Sequence, residues 1–226
     1  MRINKFLAVN EYASRREADI LIQEGKVFIN NKRAKLGDEV RESDTITVEG
    51  ARKTNRATYA FYKPKGIVTT GAQENEKEIL NTTSFPEKVF PIGRLDKDSE
   101  GLIIMSNDGT LATKILGTGI EKEYSVTVDK TITHSFLIHM RNGVKIKIPT
   151  KSKGSKWYTT QKTKIRRTSP LTFDIVLTEG KNRQIRRMCA ALGYHVEKLK
   201  RFRIGSINLD NLKKGEFREI SSNTLL

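Results

Sequence analysis

From Gly50 to Arg56 the chain reads Gly-Ala-Arg-Lys-Thr-Asn-Arg, with no apolar side chain larger than alanine. A segment with nothing to bury cannot cross a hydrophobic core, so the apolar residues on its two sides must build separate cores. The expected organisation is a small unit over 1–50, a linker over 51–57 and a larger unit over 58–226. About 50 residues are marginal for an independent fold, whereas the second unit is long enough for a substantial core.

In the first unit, Ser14-Arg15-Arg16-Glu17 has the spacing of a helix capping box, in which serine and glutamate each satisfy an orphan backbone N–H. The helix turns Ala18, Leu21 and Ile22 inward and stops at Gly25, a residue free to adopt the left-handed cap. A shorter helix over about Ile3 to Val9 precedes it, with Phe6 and Leu7 as its apolar face. Val27-Phe28-Ile29, Asn30-Asn31 and Lys32-Arg33-Ala34 read as strand, tight turn and strand, and Asp44 to Val48 alternates as another strand. The polar face of this module would carry Arg2, Lys5, Arg15, Arg16, Lys26, Lys32 and Arg33. A basic face is usually no more than solvated, but here an arginine pair sits at a helix N-terminus, where the dipole already favours anions. The formal net charge of the chain is +16, which calls for a polyanion whose counterions are released on binding.

The larger unit reads as strands over Tyr59–Tyr62, Ile67–Thr70, Val89–Ile92, Leu102–Met105, Glu123–Val128 and Thr172–Leu177. Lys63-Pro64-Lys65-Gly66 marks a turn, Asp108 a cap for a helix through Thr110 to Leu116, and Asn182 a cap for a helix ending at Gly193. Strands outnumber helices and do not alternate with them regularly. The expected class is therefore α+β on a mixed, mainly antiparallel sheet, not a doubly wound one. Lys145 to Lys164, with the lone Trp157, reads as a hairpin inside a cationic stretch that runs to Arg203.

Several residues of this unit have a chemical reading beside a plain one. Asp96 lies in a polar loop, where an aspartate is most often a turn residue, yet Arg94 and Lys97 flank it and an ionised carboxylate is a nucleophile. Tyr124 is a strand aromatic suited to a core, and equally a phenol that can stack on a base and move a proton. Arg183, Arg186 and Arg187 crowd one helix. Arg186 adjoins its apolar stripe and needs a carboxylate partner, while Arg183 and Arg187 suit phosphate contact; Arg94, next to the loop, is a candidate either for holding a phosphate or for filling the gap that a displaced nucleotide leaves.

Other chemistries find no support. His134, His139 and His195 show no ligand spacing with Cys189, and no phosphate-cradling glycine loop is present, so neither metal nor cofactor is expected. A single cysteine forbids an internal disulfide and suits a reducing compartment. No apolar run approaches the roughly 18 to 20 residues of a membrane span, and the first residues lack a signal-like segment. The cytoplasm is the expected location.

The run INKFLAVNEYASRREADILIQEGKVFINNKRAKLGDEV resembles the S4 type of RNA-binding domain. GRLDKDSEGLIIMSNDG, EKEYSVTV and LTEGKNRQIRRMCAALGYHVEKLKRFRIG resemble the three signature segments of bacterial ribosomal RNA pseudouridine synthases of the small-subunit-A and large-subunit-B, E and F family. The R-L-D-x-D-S-x-G-L loop is their most specific part, and the N-terminal module with NRQIRRMC and KLKR is most similar to the F-type large-subunit enzyme. This resemblance implies isomerisation of a uridine in ribosomal RNA, in 23S, with the base flipped out and no cofactor. Asp96 would be the nucleophile, Tyr124 the active-site tyrosine, Arg186 the arginine paired with the aspartate, and Leu199 the residue packed on the base. The partner would be ribosomal RNA or a ribosome assembly intermediate, met by a monomer.

Overall fold

The computed structural model describes residues 1–10, 12–50, 56–117, 119–150 and 154–221. Its N-terminal part is governed by short-range chemistry. Helix α1 (Ile3–Val9) leads to α2 (Arg15–Gln23), whose start is fixed by the expected capping box. The Glu17 N–H donates to Ser14 Oγ at 3.3 Å, and the Ser14 N–H to Glu17 Oε2 at 3.0 Å. Gly25 ends the helix at φ +71°. Strands β1 (Val27–Ile29) and β2 (Lys32–Arg33) join through Asn30 and Asn31 at φ 49° and 63°, the two left-handed residues that a type I′ turn requires. With β3 (Ile46–Val48) they form an antiparallel sheet of order β2-β1-β3. Ile3, Leu7, Ala18, Ile22, Val27, Ala34 and Val40 make a core of their own.

The larger part contains β4 (Thr58–Lys63), α3 (Ile79–Thr82), β5 (Phe90–Ile92), β6 (Glu100–Ser106), α4 (Gly109–Leu116), β7 (Lys122–Val128) and α5 (His134–Asn142). It continues with β8 (Lys145–Pro149), β9 (Ser155–Thr159), β10 (Lys164–Arg167), β11 (Thr172–Leu177), α6 (Gln184–Ala191), β12 (Val196–Ile204), β13 (Ile207–Asn208) and β14 (Phe217–Glu219). The main sheet runs β10-β11-β7-β12-β6-β4-β14, with β13 added to β12 and β5 to β6. All of its pairings are antiparallel except β6 with β12, so the sheet is mixed and the class α+β, as expected. Strands β4 and β6 are buried on both faces. Tyr59, Phe61, Ile103 and Met105 enter one apolar cluster, while Ala60, Tyr62, Leu102 and Ile104 enter the other, the two-residue alternation of a pleated strand. Asp108 caps α4 by accepting the Thr110 N–H at 2.8 Å.

The structure departs from the sequence reading in places. Ile67–Thr70 is not a strand; Val68 makes one isolated bridge, to Glu78. Helix α5, capped by Thr133, and the nine-residue β12 were not foreseen. Asn182 does not cap α6. Arg183 takes that position at φ 49°, ψ 37° with no side-chain cap, and Asn182 Oδ1 instead accepts from Arg187 Nη2 at 3.1 Å. The basic hairpin is present as β8 paired with β9, with Trp157 opposite Lys147 and 64 % exposed. Lys151 and Lys153 lie outside the described residues, as do 51–55 of the expected linker. Ala57 is already in the larger core and donates its N–H to Asn107 Oδ1 at 2.9 Å. Between the two parts, Lys88 Nζ lies 2.7 Å from Glu17 Oε1, and Arg56 Nη2 donates to the Val9 carbonyl at 3.0 Å. Among the described residues, no helix is long and apolar enough to cross a membrane.

Cys189 is fully buried on α6, and that burial pushes its thiol up to about 12. The native protein is therefore expected to resist alkylation by iodoacetamide at pH 8 and to take up one equivalent once urea exposes the cysteine, as mass spectrometry would report.

Candidate active site

Strands β5 and β6 are joined by the loop 93–99, which three buried contacts hold in shape. Thr69 Oγ1 donates to the Leu95 carbonyl at 2.7 Å and accepts the Leu95 N–H at 3.1 Å, clamping the residue before Asp96. Lys63, fully buried at the end of β4, donates from Nζ to the Ser99 carbonyl at 2.8 Å and to the Pro64 carbonyl at 2.9 Å. Burial lowers its ammonium to about 8, opposed by the charges of Asp96, Asp98 and Glu100. The Ser99 N–H closes a turn on the Asp96 carbonyl at 3.0 Å. Beyond the loop, Gly101 at φ +115° lets β6 meet β12, because a Cβ there would stand 2.1 Å from the Arg201 carbonyl oxygen.

Asp96 leaves this loop half-buried and faces a cavity of about 420 Å³. Tyr124 from β7 and Leu199 from β12 also line it, each 8 % exposed, with Arg94 and Arg183 among its other lining residues. The sheet register explains the meeting. Leu199 stands opposite Val126, and Arg201 opposite Tyr124, so these side chains share one sheet face. Cavity, carboxylate, phenol and cations thus come together from segments separated in sequence.

The cations are arranged differently from the expectation. The group beside Asp96 is Arg183, with Nη1 3.6 Å from Oδ2. Arg186 does need a carboxylate next to its apolar stripe, but it reaches Asp98: Nε lies 3.5 Å from Asp98 Oδ2. Its Nη2 donates to the Asp98 carbonyl at 3.0 Å and its Nη1 to the Val196 carbonyl at 3.0 Å. The reason is reach, since the contacts of Arg186 tie the loop to β12 behind the cavity. Arg183 is likewise not a free phosphate ligand, for its two terminal nitrogens donate to the Asp98 carboxylate at 3.1 and 3.0 Å. Those bonds hold the Asp98 carboxyl below its usual range, Arg183 contributing most. Arg187 braces α6 against β8 by donating to the Lys147 carbonyl at 2.9 Å. Lys97 turns away from Asp96 to Glu76 at 2.8 Å.

Arg94 is exposed at the rim of the cavity. Arg2, Lys5, Arg15, Arg16, Lys26 and Lys32 are all exposed on the N-terminal unit, Lys26 in an ion pair with Glu24 at 2.7 Å. Sequence reasoning missed Lys63, Thr69 and Asp98. Lys63 had a signal, since a lysine closing the otherwise apolar run TYAFYK demands a buried acceptor. Among the described residues, no cluster of His, Cys, Asp and Glu is placed to hold a metal ion.

Two outcomes follow from this geometry. Gly101→Ala should destabilise the fold by at least about 2 kcal/mol in urea unfolding, since both the left-handed backbone and the backbone contact oppose a methyl group. The Asp98 clamp should be complete above the ordinary carboxylate pKa and be lost as pH falls through the lowered folded value, which titration of the Asp98 side chain by NMR would follow.

The comparisons with known proteins agree with this architecture. A family model described as RNA pseudouridylate synthase matches residues 57–191, and one for the S4 domain matches residues 1–46. The chain is 42 % identical to the Escherichia coli (strain K12) dual-specificity RNA pseudouridine synthase RluF, covering 100 % of this chain and 77 % of that protein. It is 33 % identical to the Bacillus subtilis (strain 168) ribosomal large subunit pseudouridine synthase B, over 97 % of this chain and 92 % of the relative. A crystal structure of a pseudouridylate synthase superposes with a TM-score of 0.68 at 26 % identity, covering 100 % of this chain and 98 % of the other. With its synthase fold preceded by an S4 domain, the chain belongs to the RNA pseudouridine synthase family.

Proposed function

We propose that this protein converts one specific uridine of 23S ribosomal RNA to pseudouridine, with Asp96 as the nucleophilic carboxylate. The observation that carries this reading is the convergence of Asp96, Tyr124 and Leu199 on one cavity with Arg183 beside the carboxylate. The reaction breaks the bond from C1′ to N1 of the base, turns the base and joins C1′ to C5. The C5 proton leaves and N1 gains one, so no cofactor is consumed.

The target nucleotide enters base first after leaving its stack, at a cost of a few kcal/mol. Leu199 packs on the base and Tyr124 stacks against it and moves the proton. Arg183 orients Asp96, the part first assigned to Arg186, while Arg186 fixes the loop from behind through Asp98. Arg94 meets phosphate at the rim. The exposed basic residues of the N-terminal unit, from Arg2 to Lys32, dock the RNA through its backbone without reading sequence. Residues 1–50 act as the docking unit and 58–226 as the synthase, with Ala57 already part of the synthase core. The large-subunit assignment draws on the name of the Bacillus relative. The protein acts as a monomer in the cytoplasm, on ribosomal RNA or an assembly intermediate.

Asp96→Asn should abolish tritium release from RNA labelled at uridine C5 while RNA affinity stays within about twofold; normal turnover by this variant would remove the assignment. Replacing Arg15 and Arg16 together by alanine should weaken binding and flatten its salt dependence by roughly 0.7 to 0.9 for each phosphate no longer neutralised. Mapping pseudouridine over total RNA from cells with and without the gene would name the site.

A further inference from the structure

The cavity beside Asp96 has a guanidinium in its floor. Arg201 is only 4 % exposed, lines the cavity, and stands opposite Tyr124 on the sheet face that also carries Leu199. Its Nε donates to the Leu102 carbonyl at 2.7 Å. Its Nη2 is buried, and among the described residues it has no acceptor. Nor does any described carboxylate come within 4.0 Å of this guanidinium. Lys122, two residues before Tyr124 on the same strand face, lines the cavity too, and its ammonium is pushed down by burial and then by the charge of Arg201.

A purely structural role explains little of this. The bond to Leu102 uses one nitrogen and braces β6 against β12. A buried cation without a counter-charge costs several kcal/mol, and an apolar side chain would fill the same space without that penalty. The arrangement makes sense if the charge arrives with the ligand.

We propose that Arg201 is the base-binding cation of this site: Nη2 donates to a carbonyl oxygen of the flipped uracil and holds the negative charge that develops on the base. This rests on the isomerisation reading above. A nucleotide entering base first leaves its phosphates at the rim, near exposed Arg94, and presents its carbonyl edge to the floor. When the bond from C1′ to N1 breaks, its electron pair stays on the base and spreads from N1 over the carbonyl oxygens. Asp96 bonds through a carboxylate oxygen to the sugar carbon that loses the pair, and that bond breaks back to the carboxylate when C5 attacks the same carbon. C5 then supplies the pair for the new bond to C1′, its proton passes to solvent, and N1 takes one up. Arg201 acts as a fixed donor aimed at developing charge.

Arg201→Met and Arg201→Lys in the full chain test this. Single-turnover conversion should fall about 100-fold in Arg201→Met, the usual scale for losing one such donor, with RNA Kd within about twofold. Arg201→Lys should recover part of the rate. RNA transcribed with 2-thiouridine or 4-thiouridine in place of uridine supplies a readout that a brace would not move, with product followed by nucleoside chromatography. One of the two sulfurs should slow the native protein and not slow Arg201→Met further. Because the comparison is made within each protein, it still decides if Arg201→Met folds poorly and Arg201→Lys must serve instead. Equal effects of both sulfurs on native and variant protein overturn the proposal, and so does a drop in affinity matching the drop in rate, which would mark a phosphate contact. Asp96→Asn run alongside separates the failures. If that variant is active, the reading of the whole site falls; if it is inactive while the Arg201 variants run at full rate, only the present proposal falls.

Discussion

At Gly101 two parallel strands come so close that no side chain fits between them, and the site depends on that contact. It ends the loop that carries Asp96 and brings the loop against β12, which supplies Leu199 and Arg201. Antiparallel pairing of β12 with β7 then sets Tyr124 directly across. One glycine at φ +115° thus fixes the spacing between the carboxylate loop and the floor of the cavity. The buried hydroxyl of Thr69 and ammonium of Lys63 finish the work by holding the loop from beneath.

Electrostatics around the loop divide labour between two aspartates. Asp98 takes the direct bonds of Arg183 and the approach of Arg186, so it serves as the anchor. Asp96, two residues earlier, has a single guanidinium nitrogen at 3.6 Å and keeps a face toward the cavity. A carboxylate fully wrapped in bidentate bonds would be a poor nucleophile, because attack would first have to break them. The strained left-handed backbone at Arg183 has a use in this light, since it aims one guanidinium between both carboxylates.

Local rules made much of the fold legible. The capping box at Ser14, the Asn30-Asn31 turn, the Asp108 cap and the buried run Leu102–Met105 each depend on neighbours in sequence, and each is where the pattern puts it. Strand β12 was hidden for a physical reason. A central strand normally reads as apolar, but in VEKLKRFRI Arg201 lines the cavity, Arg203 pairs with Glu121 and Glu123, and Lys198 is exposed. Helix α5 is legible in its Thr133 cap and in Phe136 and Met140, four residues apart. The partners of Arg183 and Arg186 were beyond reach, since both contacts span more than eighty residues and turn on the backbone angle at one of them.

The hairpin of β8 and β9 carries the chain's one tryptophan in water, with Lys145 Nζ 5.4 Å from its ring. An indole already solvated has little further to redden when the chain unfolds. Its emission is therefore nearly blind to melting of the core and sensitive to whatever settles on that hairpin. The molecule carries a built-in optical reporter of its basic surface, and a thermal scan read through that channel would show little amplitude while the sheet is being lost.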